Sequence, residues 1–300
     1  MRRIFSHAVL ICLALSFATA TGSGEHIVLG VLEDVPGAYL GEPHSYGVRV
    51  AFQKNGSNWQ AFPTDCADQS CLKTESRQYP DKVVWNVAFD GRKLGEVTGQ
   101  TPKEFRFYSY IGLQEIKGGI VPTVGKRSAE YGGFTGVSVY RPLLTNAQPY
   151  FEDPEAWKST QLTADTVRLL REQFRKKFPT VSNCANPDEN VAKPWRYRDE
   201  DIRVLKAFSS KRAWSLARLR LEESRCDGFA GDAFLDQWFA ISPALGVTFL
   251  DAGMWLVDAG DYDNGGRSEL VFSIDRYNRG GYELFYDDFK KRAIFEFGYQ

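Results

Sequence analysis

The residues best suited to chemistry lie in one short stretch near the C-terminal end. Asp258, Asp261, Asp263 and Glu269 fall within twelve positions, and Gly265 and Gly266 sit among them. Asp261, Asp263 and Glu269 occupy relative positions one, three and nine. Calcium takes six to eight hard oxygen ligands, supplied by carboxylates and backbone carbonyls on a short flexible loop. Alternating acids on a glycine-bearing turn meet that need. The alternative is a plain acidic turn. A degenerate second loop at Asp227, Gly228, Gly231 and Asp232 is weaker, and an ordinary turn explains it.

Other chemistries are short of material. The whole chain has three histidines, and only His26 and His44 lie beyond the first twenty residues. A Ser-His-Asp mechanism would have to use one of these two. Cys66, Cys71, Cys184 and Cys226 form an even set, which in an exported chain points to two disulfides rather than a thiol nucleophile. Three pairings are open; proximity favours Cys66–Cys71 and Cys184–Cys226. A zinc site of four thiolates is the rival reading, against which their scattered spacing argues. Carboxylate chemistry stays open, since two acids suffice for glycoside hydrolysis.

The acidic stretch resembles the calcium loop of FG-GAP (VCBS-type) repeats, which build β-propellers in integrin-like and bacterial exported proteins. The residues that carry the resemblance are Asp261, Asp263, Gly266, Glu269, Leu270 and Val271. It covers roughly the last fifty residues. It implies Asp261 and Asp263 as carboxylate ligands, the Arg267 carbonyl as a backbone ligand and Glu269 as the closing ligand. Gly265 stands where the family usually has Asp or Asn, and Glu269 where it usually has Asp. One carboxylate fewer implies weak affinity, with Asp258 or water filling the gap.

These residues need strands to position them. Residues 26–34 read as a strand. Residues 47–63 read as a hairpin: Val48, Val50 and Phe52 alternate with Arg49, Ala51 and Gln53 around a turn at Asn55 and Gly56. Residues 83–98 repeat the pattern around Asp90 and Gly91. Val50-Ala51-Phe52 and Val87-Ala88-Phe89 stand one blade-length apart. Further strands are expected at 105–113, near Val121, at 137–140, from 214 to 221, at 237–242 and at 247–250. Thr163 caps a helix over 164–178 that presents Val167, Leu170, Phe174 and Phe178 on one face and Arg168, Arg171, Arg175, Lys176 and Lys177 on the rest. Residues 64–82 and 180–200 read as loops. Four strands follow at 254–257, 269–274, 282–286 and 293–297, the make-up of one propeller blade. The expected fold is mainly β, with propeller-like antiparallel four-stranded blades and a helical insertion at about 155–210 in a single domain over 21–300.

The first twenty residues read as a signal peptide: Arg2 and Arg3, an apolar run from Ala8 to Ala18, and a small-x-small cleavage site at Ala18–Ala20. Its removal leaves Thr21 first and takes the net charge from -1 to -3. That balance carries no footprint for nucleic acid. No later run is long and apolar enough to be a membrane-spanning helix. Aromatics make up 14% of the chain, which suits a β core. A sugar platform at Tyr277 and Tyr282 is a second use for them. The sequence thus points to a secreted or periplasmic module that binds a carbohydrate or protein, with a weak calcium loop. The alternatives are a carboxylate-based glycosidase on a propeller and a structural envelope protein.

Overall fold

A computed structural model describes residues 26–34, 46–64, 79–100, 112–121, 143–147, 152–184, 191–222, 226 and 231–298. The signal-like segment, His44, Cys66, Cys71, Asp227 and the strands expected at 105–111 and 137–140 lie outside the described residues. The chain is mainly β, its strand pairs are antiparallel, and one α-helix is present among the described residues.

The first hairpins close on themselves. Strands β1 (Val28–Asp34), β2 (Tyr46–Asn55), β3 (Asn58–Ala61), β4 (Val84–Phe89), β5 (Arg92–Gly99), β6 (Leu113–Gly119) and β7 (Leu143–Thr145) share one sheet. Its order is β1-β7-β4-β5-β6-β2-β3, and β1 also pairs with β2. Six strands therefore form a closed barrel, and β3 extends β2 beyond it. Closure removes two sheet edges that would otherwise present unpaired backbone groups. The two Val-Ala-Phe strings lie on β2 and β4 of this one barrel. They are not successive blades, and no radial set of four-stranded blades occurs among the described residues.

Beyond the barrel the strands stack in layers. Strands β8 (Lys158–Ser159), β11 (Ile202–Ser209), β12 (Ser215–Leu221), β13 (Gln237–Ile241) and β14 (Val247–Ala252) form a five-stranded sheet in the order β14-β13-β12-β11-β8. Strands β15 (Met254–Gly260), β16 (Glu269–Arg276), β17 (Arg279–Tyr286) and β18 (Lys291–Gly298) form a four-stranded meander. This last sheet is where the sequence places four strands.

Period-two alternation makes the meander two-sided. Val271, Tyr282, Leu284, Ala293, Phe295 and Phe297 pack with the barrel. Leu270, Phe272 and Phe285 pack on Leu216, Trp238, Ala240 and Leu250 of the five-stranded sheet. The barrel is thus covered on its outer wall, which explains why β2 is buried without interruption from Gly47 to Phe52. Arg49, expected on a polar face, is buried. Its guanidinium pairs with Glu33 at 2.8 Å and lies over the Phe297 ring.

Helix α1 (Ala164–Lys177) covers the far face of the five-stranded sheet. Thr163 Oγ1 accepts from the Thr166 N–H at its start. Leu170 and Phe174 are fully buried against Ala217, Leu219 and Ile241, while Val167 and Phe178 are half-buried. The basic side chains are engaged locally. Arg168 pairs with Glu172, Arg175 with Asp199, and Lys177 Nζ lies over the Phe249 ring. Residues 180–200 are not all loop: β9 (Val181–Cys184) pairs with β10 (Ala192–Trp195). Cys184 is joined to Cys226 in a disulfide, which rules out the four-thiolate zinc site. No helix among the described residues is long and apolar enough to cross a membrane.

Candidate metal centre

The acidic loop joins β15 to β16. Gly260 and Glu269 form the last rung of that ladder, so the chain leaves and re-enters the sheet at adjacent points. The Asp261, Asp263 and Glu269 side chains converge, each offering a carboxylate oxygen within 4.8 Å of the others. Asp261 and Glu269 are 3% and 4% exposed. Together they form a buried set of hard oxygen donors, which could hold a metal ion.

The loop backbone organises these acids. The Gly265 N–H donates to Asp261 Oδ1 and Asp263 Oδ1, both at 2.7 Å, and the Gly266 N–H donates to Asp261 Oδ2 at 2.9 Å. The Tyr262 N–H donates to Glu269 Oε2 at 2.9 Å. A Cβ on Gly265 would stand 2.5 Å from Asp263 Oδ1. This explains the residue at the fifth position, where a side chain would occupy the space that Asp263 takes.

Two residues of the first sheet complete the site, and sequence reading misses both. Lys54, at the end of β2, pairs its ammonium with Asp263 Oδ2. Trp59, on β3, points its indole Nε1–H at Glu269 Oε1, 3.4 Å away. They stand 209 and 210 residues from their partners, so no local pattern could reveal them.

Three carboxylates face one ammonium. Burial pushes the Asp261 carboxyl up. It pushes Glu269 well above the usual carboxyl range, and the Asp263 charge adds to that. Both shifts come first from burial, and the neighbouring acid charges add to them. All six carboxylate oxygens accept from protein donors, but each keeps a second lone pair. The donor set could therefore hold a metal ion.

Other side chains singled out from the sequence are engaged outside the acidic group, and for Arg267, whose backbone carbonyl is the expected donor, this concerns the guanidinium alone. The Arg267 guanidinium pairs with Glu155 and Asp288, which Arg212 also contacts. Asp258 does not join the acidic group. It accepts from the Tyr262 hydroxyl at 2.9 Å and from the Asp90 N–H at 3.1 Å, fastening the barrel turn to the last sheet. Burial raises its carboxyl to about 7. Tyr282 is fully buried with its hydroxyl on Glu33, whereas Tyr277 is exposed, so the two form no sugar platform. His26 Nε2 donates to Gln53 Oε1 at 2.9 Å. Asp232 opens a 3-10 turn rather than a second acidic loop. Comparison with protein families, with characterised proteins and with solved structures returns no match.

Proposed function

We propose that the protein is an extracytoplasmic binding module for a carbohydrate or protein, and that its Asp261–Glu269 loop takes a calcium ion that fastens the last sheet to the barrel. One observation carries the calcium reading: three carboxylates, two of them nearly inaccessible, converge within 4.8 Å. Lys54 supplies one positive charge at the site, and a divalent ion supplies the other two. Burying unpaired charge is costly, so an ion that neutralises the cluster favours the folded state.

Two further features support the resemblance to FG-GAP repeats. The loop joins the first two strands of a four-stranded meander, and four such strands are the make-up of one blade. That meander packs face to face on the five-stranded sheet before it. The Cys184–Cys226 disulfide supports an oxidising compartment. The signal-like start of the chain adds to that reading.

Calorimetric titration with calcium tests the metal. Saturable heat at millimolar calcium, absent in Asp263→Ala, is the expected result. No heat in the wild type leaves the loop as an acidic turn held by Lys54. Export is tested separately by N-terminal sequencing of secreted material, with Thr21 expected first.

A further inference from the structure

A second group of buried charges lies on the opposite face of the last sheet. Glu283 of β17 is fully buried. Its Oε1 accepts from Arg292 Nη1 at 2.9 Å, and the same nitrogen lies 3.3 Å from Asp251 Oδ2 of β14. Arg276 Nη2 approaches Asp251 Oδ2 at 3.0 Å. Glu283 Oε2 has no hydrogen-bond partner among the described residues. Burial, and then the Asp251 charge, raise the Glu283 carboxyl to about 7.

This group backs onto a cleft of about 450 Å³ where β14 and the β17–β18 hairpin diverge. Its lining includes Leu250, Phe285 and Phe289 as apolar surface, and Asp251, Arg292 and Lys290 as charged surface. The volume falls within the range of small-molecule sites. Lys290 is exposed, and among the described residues its ammonium has no carboxylate partner.

The hairpin turn that forms one wall is held in an uncommon conformation. Asp287, Asp288 and Phe289 have φ of 53, 56 and 61° in succession, a region that L-residues visit at a cost. Their surroundings enforce it. Asp288 pairs with Arg212 and Arg267, and the Phe289 ring meets Trp157, Trp214 and Phe285. Strain over-determined by packing yields a preformed wall.

We infer that this cleft binds a small organic monoanion: a carboxylate on a ring-sized body, with the carboxylate near Lys290 and Arg292 and the body against Phe289 and Leu250. The charges decide the sign. Lys290, Lys291 and Arg292 line the cleft against Asp251, and Glu283 lies behind Arg292, so the cleft keeps an excess positive charge; Arg276, outside the lining, is shared with Glu296. Asp251 is already occupied by two guanidiniums and does not repel an incoming anion as a free carboxylate would. Glu283 is inaccessible, so it sets the charge behind the wall and touches no ligand. A sugar acid and an aromatic acid share this chemistry.

The inference deepens the binding-module reading by naming where a ligand sits, and it does not depend on calcium. Its test is amide NMR titration of the oxidised protein with glucuronate and with benzoate, each against its neutral analogue, glucose or benzyl alcohol. Saturable shifts at Phe289, Lys290 and Asp251 are expected with at least one acid, and the tighter of the two identifies the source. Lys290→Gln should weaken that acid about fivefold with unchanged melting, the size of one partly screened charge contact. Equal binding of acid and neutral analogue overturns the charge argument. No saturable shift at the cleft with either acid overturns the site. Sugar-induced shifts confined to another surface would remove this inference and leave the binding-module reading standing.

Discussion

On its barrel side the β15–β18 sheet sets Asp261, Asp263 and Glu269 against a single ammonium, Lys54. On its other side it sets Glu283, with Asp251 across the gap, against Arg276 and Arg292. Both sides bury carboxylates between stacked layers, yet they offset the acids differently. The barrel side satisfies its acids largely with backbone N–H groups, which carry no net charge. The far side satisfies them with guanidiniums, which do. The barrel side is thus left with more acid than base, while the far side is balanced and adds Lys290 at the cleft.

The largest effects test whether the two faces are separate layers at all. Phe272 is fully buried toward the five-stranded sheet, in edge contact with Trp238 and Phe285. Phe295 is fully buried toward the barrel. Phe272→Ala and Phe295→Ala should each cost about 3–5 kcal/mol in denaturant unfolding. A cost under about 1 kcal/mol for Phe295→Ala, the size of a surface change, would mean that the barrel is not docked on the sheet.

Removing the one ammonium comes next. Lys54→Met leaves three clustered carboxylates without a cation, and breaking a buried ion pair costs about 3–5 kcal/mol. Lys54 is 21% exposed at its side chain and Asp263 6%, so the lower end of that range is expected. Added calcium should recover more of the thermal midpoint in Lys54→Met than in wild type, because the emptied site is more negative. A variant as stable as wild type in the presence of chelator would show that the barrel side needs no cation.

What the sequence reveals follows from how local each feature is. The hairpins at Gly56 and Gly91, the helix capped by Thr163 and the last four strands depend on neighbours within a few residues, and they stand where periodicity and turn chemistry put them. Barrel closure depends on β1 meeting β2 and β7, a pairing across long intervals that alternation does not encode. The covering of the barrel wall likewise turned an expected polar face at Arg49 and Ala51 into buried surface. The acidic loop was legible because its three acids share nine positions. Lys54, Trp59 and the Asp251–Glu283–Arg292 group were not, because each joins distant strands.

Acidity separates the faces more finely. Glu283 is raised from an ordinary 4.5 to about 7. Between those values the folded state holds a proton that the unfolded state has released, so stability falls as the pH rises toward 7 and levels off above it. Glu283→Gln removes this loss. Its unfolding free energy relative to wild type should therefore climb from pH 5 to pH 8, by an amount on the order of 2 kcal/mol, and its melting midpoint with it. Asp258, raised to about 7 on the barrel side, acts in the same window and the same direction. Asp258→Asn is thus the matched comparison, and only Glu283→Gln should also change acid binding at the cleft. A midpoint difference that shrinks with pH would reverse the sign argued for Glu283.

The smallest expected effects distinguish two adjacent glycines of the acidic loop. At Gly265 a Cβ would meet Asp263 Oδ1 at 2.5 Å, and that oxygen belongs to a carboxylate tethered by Lys54. At Gly266 the space is open, but φ is +75°, a conformation that costs an L-residue about 1 kcal/mol. Both alanine variants should therefore lose about 1 kcal/mol of stability, for different reasons. Gly265→Ala displaces Asp263 from its partners and should also weaken the calcium response of the melting midpoint. Gly266→Ala leaves the carboxylates in place and should keep that response. Ten times the dissociation constant of calcium is worth about 1.4 kcal/mol by mass action, so the responses are separable by thermal scans with calcium and with chelator. Equal calcium responses in the two variants would mean that Asp263 does not need its observed position to hold the ion. Neither variant should alter acid binding on the far face, since their residues belong to the barrel side alone.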